Sequence, residues 1–135
     1  MYEILYWLFL LNIVFLIMHE IDSAYWKEWY LLKEMLKLSV SNVNDNREIQ
    51  YFLLLHLPLL VIFLWGFSEF IKNNFSGLII SLILSVLGIY AFVFHMIFII
   101  KGRDGFRTPV SIFILASVLV LSIFQGILTI AIMVK

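Results

Sequence analysis

The chain has 135 residues, of which 64% are hydrophobic and only 13% charged, with zero net charge and no cysteine. A soluble domain carries about 25% charged residues, so a shortage of this size means that most of the surface faces hydrocarbon. Zero net charge offers nothing to a nucleic-acid partner, and the lack of cysteine excludes disulfides and thiolate metal sites.

A membrane-crossing helix needs about 20 mostly apolar residues, and four segments supply them. The first runs from about Ile4 past His19. It is too long and too aromatic for a cleaved signal peptide, and it lacks a basic leader and a small-residue cleavage site. Residues 23–38, "SAYWKEWYLLKEMLKL", continue helically beyond that span. Tyr25, Trp26, Trp29 and Tyr30 suit an interfacial aromatic belt, and the lysines suit headgroups. This stretch either extends the first helix into the cytoplasm or bends onto the membrane surface. "SVSNVNDNREIQ" (39–50) reads as a polar loop in which Asn44 or Asp45 caps the second span, about Tyr51 to Phe70. "KNNFSG" (72–77) reads as a tight turn before the third span, about Phe75 to Ile100. "KGRDGFRTP" (101–109) ends with Thr108 as N-cap and Pro109 at the first helical position of the fourth span, which runs to Val134. Nothing alternates as barrel strands do, so backbone satisfaction in lipid demands helices. The expected fold is all-α, an integral membrane four-helix bundle with a cytoplasmic extension of helix 1, in a single four-span domain over residues 1–135.

Basic residues set orientation. Lys27, Lys33, Lys37, Arg47, Lys101, Arg103 and Arg107 fall on one side, against Lys72 and Lys135 on the other. The long loop and the 101–109 loop are therefore expected in the cytoplasm, with both termini extracytoplasmic.

The three histidines, His19, His56 and His95, fall one each on the first three spans. At 1.5 Å per residue all three lie roughly 8–12 Å inside the same membrane face. Helical spacing also aligns His19 and His95 with polar stripes: Asn12, Phe15, His19, Asp22 and Trp26 on the first span, and Ser81, Ser85, Gly88, Phe92 and His95 on the third. Ser111, Leu115, Val118, Ser122, Gln125 and Thr129 form the corresponding stripe on the fourth. Small polar residues mark the packed side of a membrane helix, so these faces outline a polar cavity opening toward the cytoplasm. Asn12 and Gln125 lie deeper and read first as interhelical hydrogen-bonding groups.

His19 and Asp22 make an H-x-x-D pair at i, i+3, the spacing used by carboxylate–histidine sites in helical bundles. With His56 and His95 they give a His₃-plus-acid set, expected to hold a divalent metal, zinc foremost. Asp22 is read as a fourth ligand, an acceptor for a ring N–H, or the catalytic general base. Glu20 is expected off the shared face, and Glu28 at the interface, apart from the site. Interhelical packing, a proton relay and bis-histidine haem are the other readings of the histidines. The bulky Phe63 and Phe92 disfavour haem.

The stretch "HEIDSAYWKEW" resembles small bacterial four-span membrane proteins of unknown function. It is similar in layout to the membrane family named for an H-x-x-E-E signature at the end of its first helix. His19-Glu20-Ile21-Asp22-Ser23 is the matching run, with Asp22 as the first acid and Ser23 where that family has a second. The resemblance implies a bacterial plasma-membrane protein and no particular reaction. Seven-span hydrolases that hold zinc with three histidines and an aspartate offer an analogy of chemistry only. The function expected is a metal-dependent hydrolase of a lipid or amphipathic substrate. The alternative is a non-catalytic ligand sensor, partner subunit or immunity-type factor whose histidines serve packing or pH response.

Overall fold

A computed structural model of the protein describes residues 1–35, 45–102 and 106–135. Of the expected 39–50 loop, residues 39–44 with the cap at Asn44 lie outside the described residues, as do Lys37 and the 103–105 segment, and residues 45–50 are helical instead. Five helices follow in order: α1 (Tyr2–Tyr25), α2 (Trp29–Met35), α3 (Asp45–Ile71), α4 (Phe75–Ile100) and α5 (Pro109–Met133). All but α2 are long and apolar enough to cross a membrane. They form a bundle in which α1 packs on α3 and α5, and α4 packs on α3 and α5, so that α1 and α4 face each other across the diagonal. Helix α3 starts six residues before the expected span. Its first turns are polar, and hydropathy marks only the apolar part of a helix.

The bundle has three layers. At the end holding both termini, Leu5, Phe9, Phe63, Phe70 and Leu78 make an apolar plug, with Phe9 edge-on to Phe67 and Phe70. Above it lies a buried polar layer. Asn12 donates to Ser122 Oγ at 3.0 Å and to Gln125 Oε1 at 2.9 Å, and Gln125 donates to Ser81 Oγ at 2.9 Å. Ser81 in turn pairs with Thr129 at 2.9 Å. A buried amide without partners would cost several kcal/mol in lipid, and here the amides satisfy one another across α1, α4 and α5. Gly88 brings α4 against α5, since a Cβ there would collide with Ser122 Oγ and lie 3.1 Å from Val118 Cγ1. The third layer holds the histidines.

The turns explain the element boundaries. Thr108 Oγ1 accepts from Ser111 N at 3.1 Å with Pro109 following, as the sequence predicts. At the end of α1, Lys27 N bonds Ala24 O at 3.3 Å and Glu28 N bonds Ser23 O at 2.9 Å. Lys27 sits between them at φ 55°. This is a Schellman termination with a lysine in the left-handed position that glycine usually fills. The chain therefore bends after α1 instead of running on as one helix. Helix α2 packs back through Trp29, whose ring centroid is 5.8 Å from that of Phe52, and through a Lys33–Glu48 ion pair at 2.6 Å. Trp29 is buried, so it serves packing and not an exposed aromatic belt.

Candidate metal centre

Three elements bring the site together. His19 is on the inner face of α1, His95 on that of α4, and their rings meet edge to face across the bundle diagonal with centroids 4.7 Å apart. The α1–α2 turn supplies Glu28, whose Oε2 lies 3.5 Å from His95 Nε2. One ligand atom from each of His19, Glu28 and His95 lies within 4.8 Å of the other two. Tetrahedral zinc with bonds of about 2.0–2.1 Å sets its ligand atoms about 3.3 Å apart. The His95–Glu28 edge is already near that length, and no pair has to close by more than roughly 1.5 Å to reach it.

The ring chemistry suits ligation. His95 Nδ1 lies 2.7 Å from the Ala91 carbonyl, and His56 Nδ1 lies 2.7 Å from the Phe52 carbonyl. A carbonyl only accepts, so each Nδ1 carries a proton and donates it. In the neutral ring Nε2 is then a free lone pair aimed away from the helix backbone, the orientation that metal-binding histidines are held in. Among the described residues His95 Nε2 and His19 Nδ1 are buried with no hydrogen-bond partner. A bare nitrogen facing a carboxylate at 3.5 Å calls for a proton or a cation between them. Burial pushes the Glu28 carboxyl up, but its interaction with the facing His95 ring outweighs that and holds it below the usual carboxylate range. Glu28 thus presents a carboxylate to two imidazoles, those of His19 and His95.

Glu20 and His56 complete the cavity. Glu20 Oε2 on α1 lies 3.3 Å from His56 Nε2 on α3. This pair, His19, Glu28 and His95 all line one cavity of about 150 Å³. Phe106 covers the His95 ring, with centroids 4.2 Å apart, and is itself 1% exposed.

The sequence-predicted set therefore divides. The structure brings His19 and His95 together. It places His56 in the same cavity but paired with Glu20. It turns Asp22 toward α5, where Oδ1 accepts from Ser111 Oγ at 3.0 Å and Trp26 Nε1 donates to the same hydroxyl at 3.2 Å. Asp22 is not in the group of three potential ligands, and Glu28, expected at the interface, is. Three positions on a helix turn the side chain by about 300°, which carries Asp22 from the bundle axis to the α1–α5 seam. The acids that sequence reasoning set aside, Glu20 and Glu28, are the ones that face histidines.

No curated protein and no solved structure matches the chain. Residues 5–132, which include every residue of the cavity and all but the outermost residues of the four spanning helices, match one family, and the chain accordingly belongs to DUF6713, a family of unknown function.

Proposed function

We propose that the protein is a membrane-embedded metal-dependent hydrolase whose zinc is held by His19, His95 and Glu28. The observation that carries this reading is the convergence of these three ligands, two of them with orphaned buried nitrogens, on one cavity. Two histidines and a glutamate with a fourth position open is a catalytic zinc donor set. A zinc bound there would lower the pKa of a coordinated water to about 7. Glu20, in the same cavity and backed by His56, is placed to take the proton as the water oxygen attacks an ester or amide carbonyl. Glu20 then returns that proton to the leaving oxygen or nitrogen as the bond to the carbonyl carbon breaks. The excess of basic residues beside α1, α3 and α4 at this end supports a cavity near the cytoplasmic face of a bacterial plasma membrane, with both termini outside.

The test is metal per chain in protein purified in detergent and loaded with zinc. One zinc per chain is expected, lost in His19→Ala, His95→Ala and Glu28→Gln, together with chelator-sensitive hydrolysis of a long-chain ester. Wild-type protein that holds no metal, or three variants that all keep it, overturns the reading. The two imidazole–carboxylate pairs would then favour proton exchange in a non-catalytic sensor or partner subunit.

A further inference from the structure

The cavity has a second depression beside it, on the lipid side of the bundle. Outside α3 lies a groove of about 460 Å³ whose apolar floor includes Leu53, Leu54, Leu57 and Leu60. Gln50 stands at its loop end, and Glu20 and His56 line it as well. Those two residues also line the polar cavity, so the groove and the cavity share a wall made of one carboxylate and one imidazole. On the loop side Phe106 lies over His95 and Trp29 over Phe52, both nearly fully buried. The wall formed by Glu20 and His56 therefore lies on the lipid side of the cavity and not on its loop side.

We propose that this groove binds the chain of a single-chain amphiphile with an uncharged ester- or amide-type head, which enters the cavity from the bilayer between Glu20 and His56. The residues from Gln50 to Leu60 span about 15 Å of helix, enough to seat one extended chain. Leu54 and Leu57 are 65% and 57% exposed, so most of each side chain is available to a ligand. Charge selects the head. Among the described lining residues of groove and cavity there are two glutamates and no lysine or arginine. Lys33 is engaged by Glu48, and Arg47 lies against Tyr51. A bound zinc would set two positive charges against Glu20 and Glu28, so the loaded cavity has no excess of positive charge to hold an anionic phosphate head, whereas an ester or amide carries only a carbonyl and a donor or hydroxyl. The proposal names a substrate class for the cavity, and rests on the hydrolytic reading for its chemistry but not for the binding.

The experiment is photolabelling of the zinc-loaded protein in nanodiscs with a monoacylglycerol bearing a diazirine in its chain. The labelled positions are mapped by mass spectrometry, and zinc is measured on the same samples. Label is expected on α3 between Gln50 and Leu60, displaced by unlabelled monoacylglycerol. Lysophosphatidic acid should displace it at least about tenfold less well, because a site with no net positive charge does not offset the desolvation of its phosphate. The double variant Leu54→Trp/Leu57→Trp fills the groove from the lipid side. It should lose the label while keeping its zinc and its melting temperature. Label spread evenly over the lipid faces of α1, α3, α4 and α5 overturns the proposal. So does label unchanged by the tryptophans, or displaced equally by the anionic lipid. Zinc present with scattered label sinks the groove and spares the metal site; focused label without zinc does the reverse.

Discussion

Glu28 Oε2 lies 3.5 Å from His95 Nε2 only because the residue before it, Lys27, adopts φ 55°. Were α1 to continue straight, nine residues would carry Glu28 about 13–14 Å along the axis from His19. The bend returns the carboxylate to the bundle and makes one turn the structural determinant of the site. Glycine tolerates this conformation, and a β-branched residue does so poorly. Lys27→Gly should therefore keep the turn and bind zinc as the parent does. Lys27→Val should cost about 1–2 kcal/mol in that conformation and lose zinc as Glu28→Gln does, although it removes no ligand. Zinc retained in Lys27→Val would show that the turn does not position Glu28.

The acids near the site should rank in an order set by what each one touches. Glu28→Gln removes a charged oxygen ligand and should abolish zinc binding. Asp22→Asn keeps an acceptor for Ser111 Oγ at the α1–α5 seam and should leave zinc content unchanged. Glu20→Gln should leave zinc bound and remove hydrolysis, with a fall of about 10²–10⁴-fold expected for loss of a general base. Metal analysis and ester hydrolysis on the same three preparations separate these roles. Loss of zinc in Asp22→Asn with retention in Glu28→Gln would restore the i, i+3 pair as the ligand set.

The spans, the inward faces and the Thr108–Pro109 start were legible because each is a local pattern. Apolar length gives the helix, and serines and glycine at helical spacing give its packed side. His19 and His95 came together as their stripes predicted. Glu28 was not legible, because the turn that delivers it has lysine where glycine or asparagine would announce a left-handed residue. The equivalent turn after α3 has Asn73 at φ 59° and was read correctly. The position of Glu20 on α1 alone does not show that it faces the site. Its partner His56 comes from α3, and only the order of helices around the bundle puts the two side by side. Asp22 was favoured on spacing, which constrains neighbours along one helix and says nothing of the hydroxyl waiting on α5.

Gly88 and Gly126 make a matched pair for testing how closely α4 and α5 approach. A methyl at Gly88 would overlap Ser122 Oγ, whereas one at Gly126 would meet Ser85 Cβ at an ordinary 3.4 Å. Gly88→Ala should lower stability by about 1–3 kcal/mol through overpacking, and Gly126→Ala should be neutral or slightly stabilising from its better helix propensity. Thermal unfolding in a mild detergent reads both. Equal effects would mean that the helices are not in close contact at Gly88.

Seven of nine basic residues fall in the segments at the histidine end of the bundle, and Lys72 and Lys135 at the other. A reporter active only outside the cytoplasm should therefore be active when fused after Lys135 and inactive when inserted after Gly102. Lys135 Nζ lies 3.5 Å from Met1 Sδ, so a reporter at the N-terminus should agree with one at the C-terminus. The opposite pattern would place the cavity near the outer face and change which leaflet feeds it.

The polar layer below the cavity should hold the bundle together independently of metal. Asn12 on α1 bonds Gln125 on α5 at 2.9 Å, and Gln125 bonds Ser81 on α4 at 2.9 Å, so one amide joins three helices. Gln125→Leu leaves Asn12 with Ser122 as its remaining partner, and Asn12→Leu leaves Gln125 with Ser81. Each single change strands part of a buried amide and should cost about 1–3 kcal/mol. The double variant removes both amides, so its cost should fall short of the sum. Interhelical hydrogen bonds in membranes average about 0.6 kcal/mol, with a maximum near 1.7, and the coupling from the cycle should fall in that range. Zinc content should not change in any of the three, because the ligands sit in the layer above. A coupling of zero would mean that the two amides act separately. Loss of zinc with unchanged stability would mean that the polar layer belongs to the site and not to the frame that holds it.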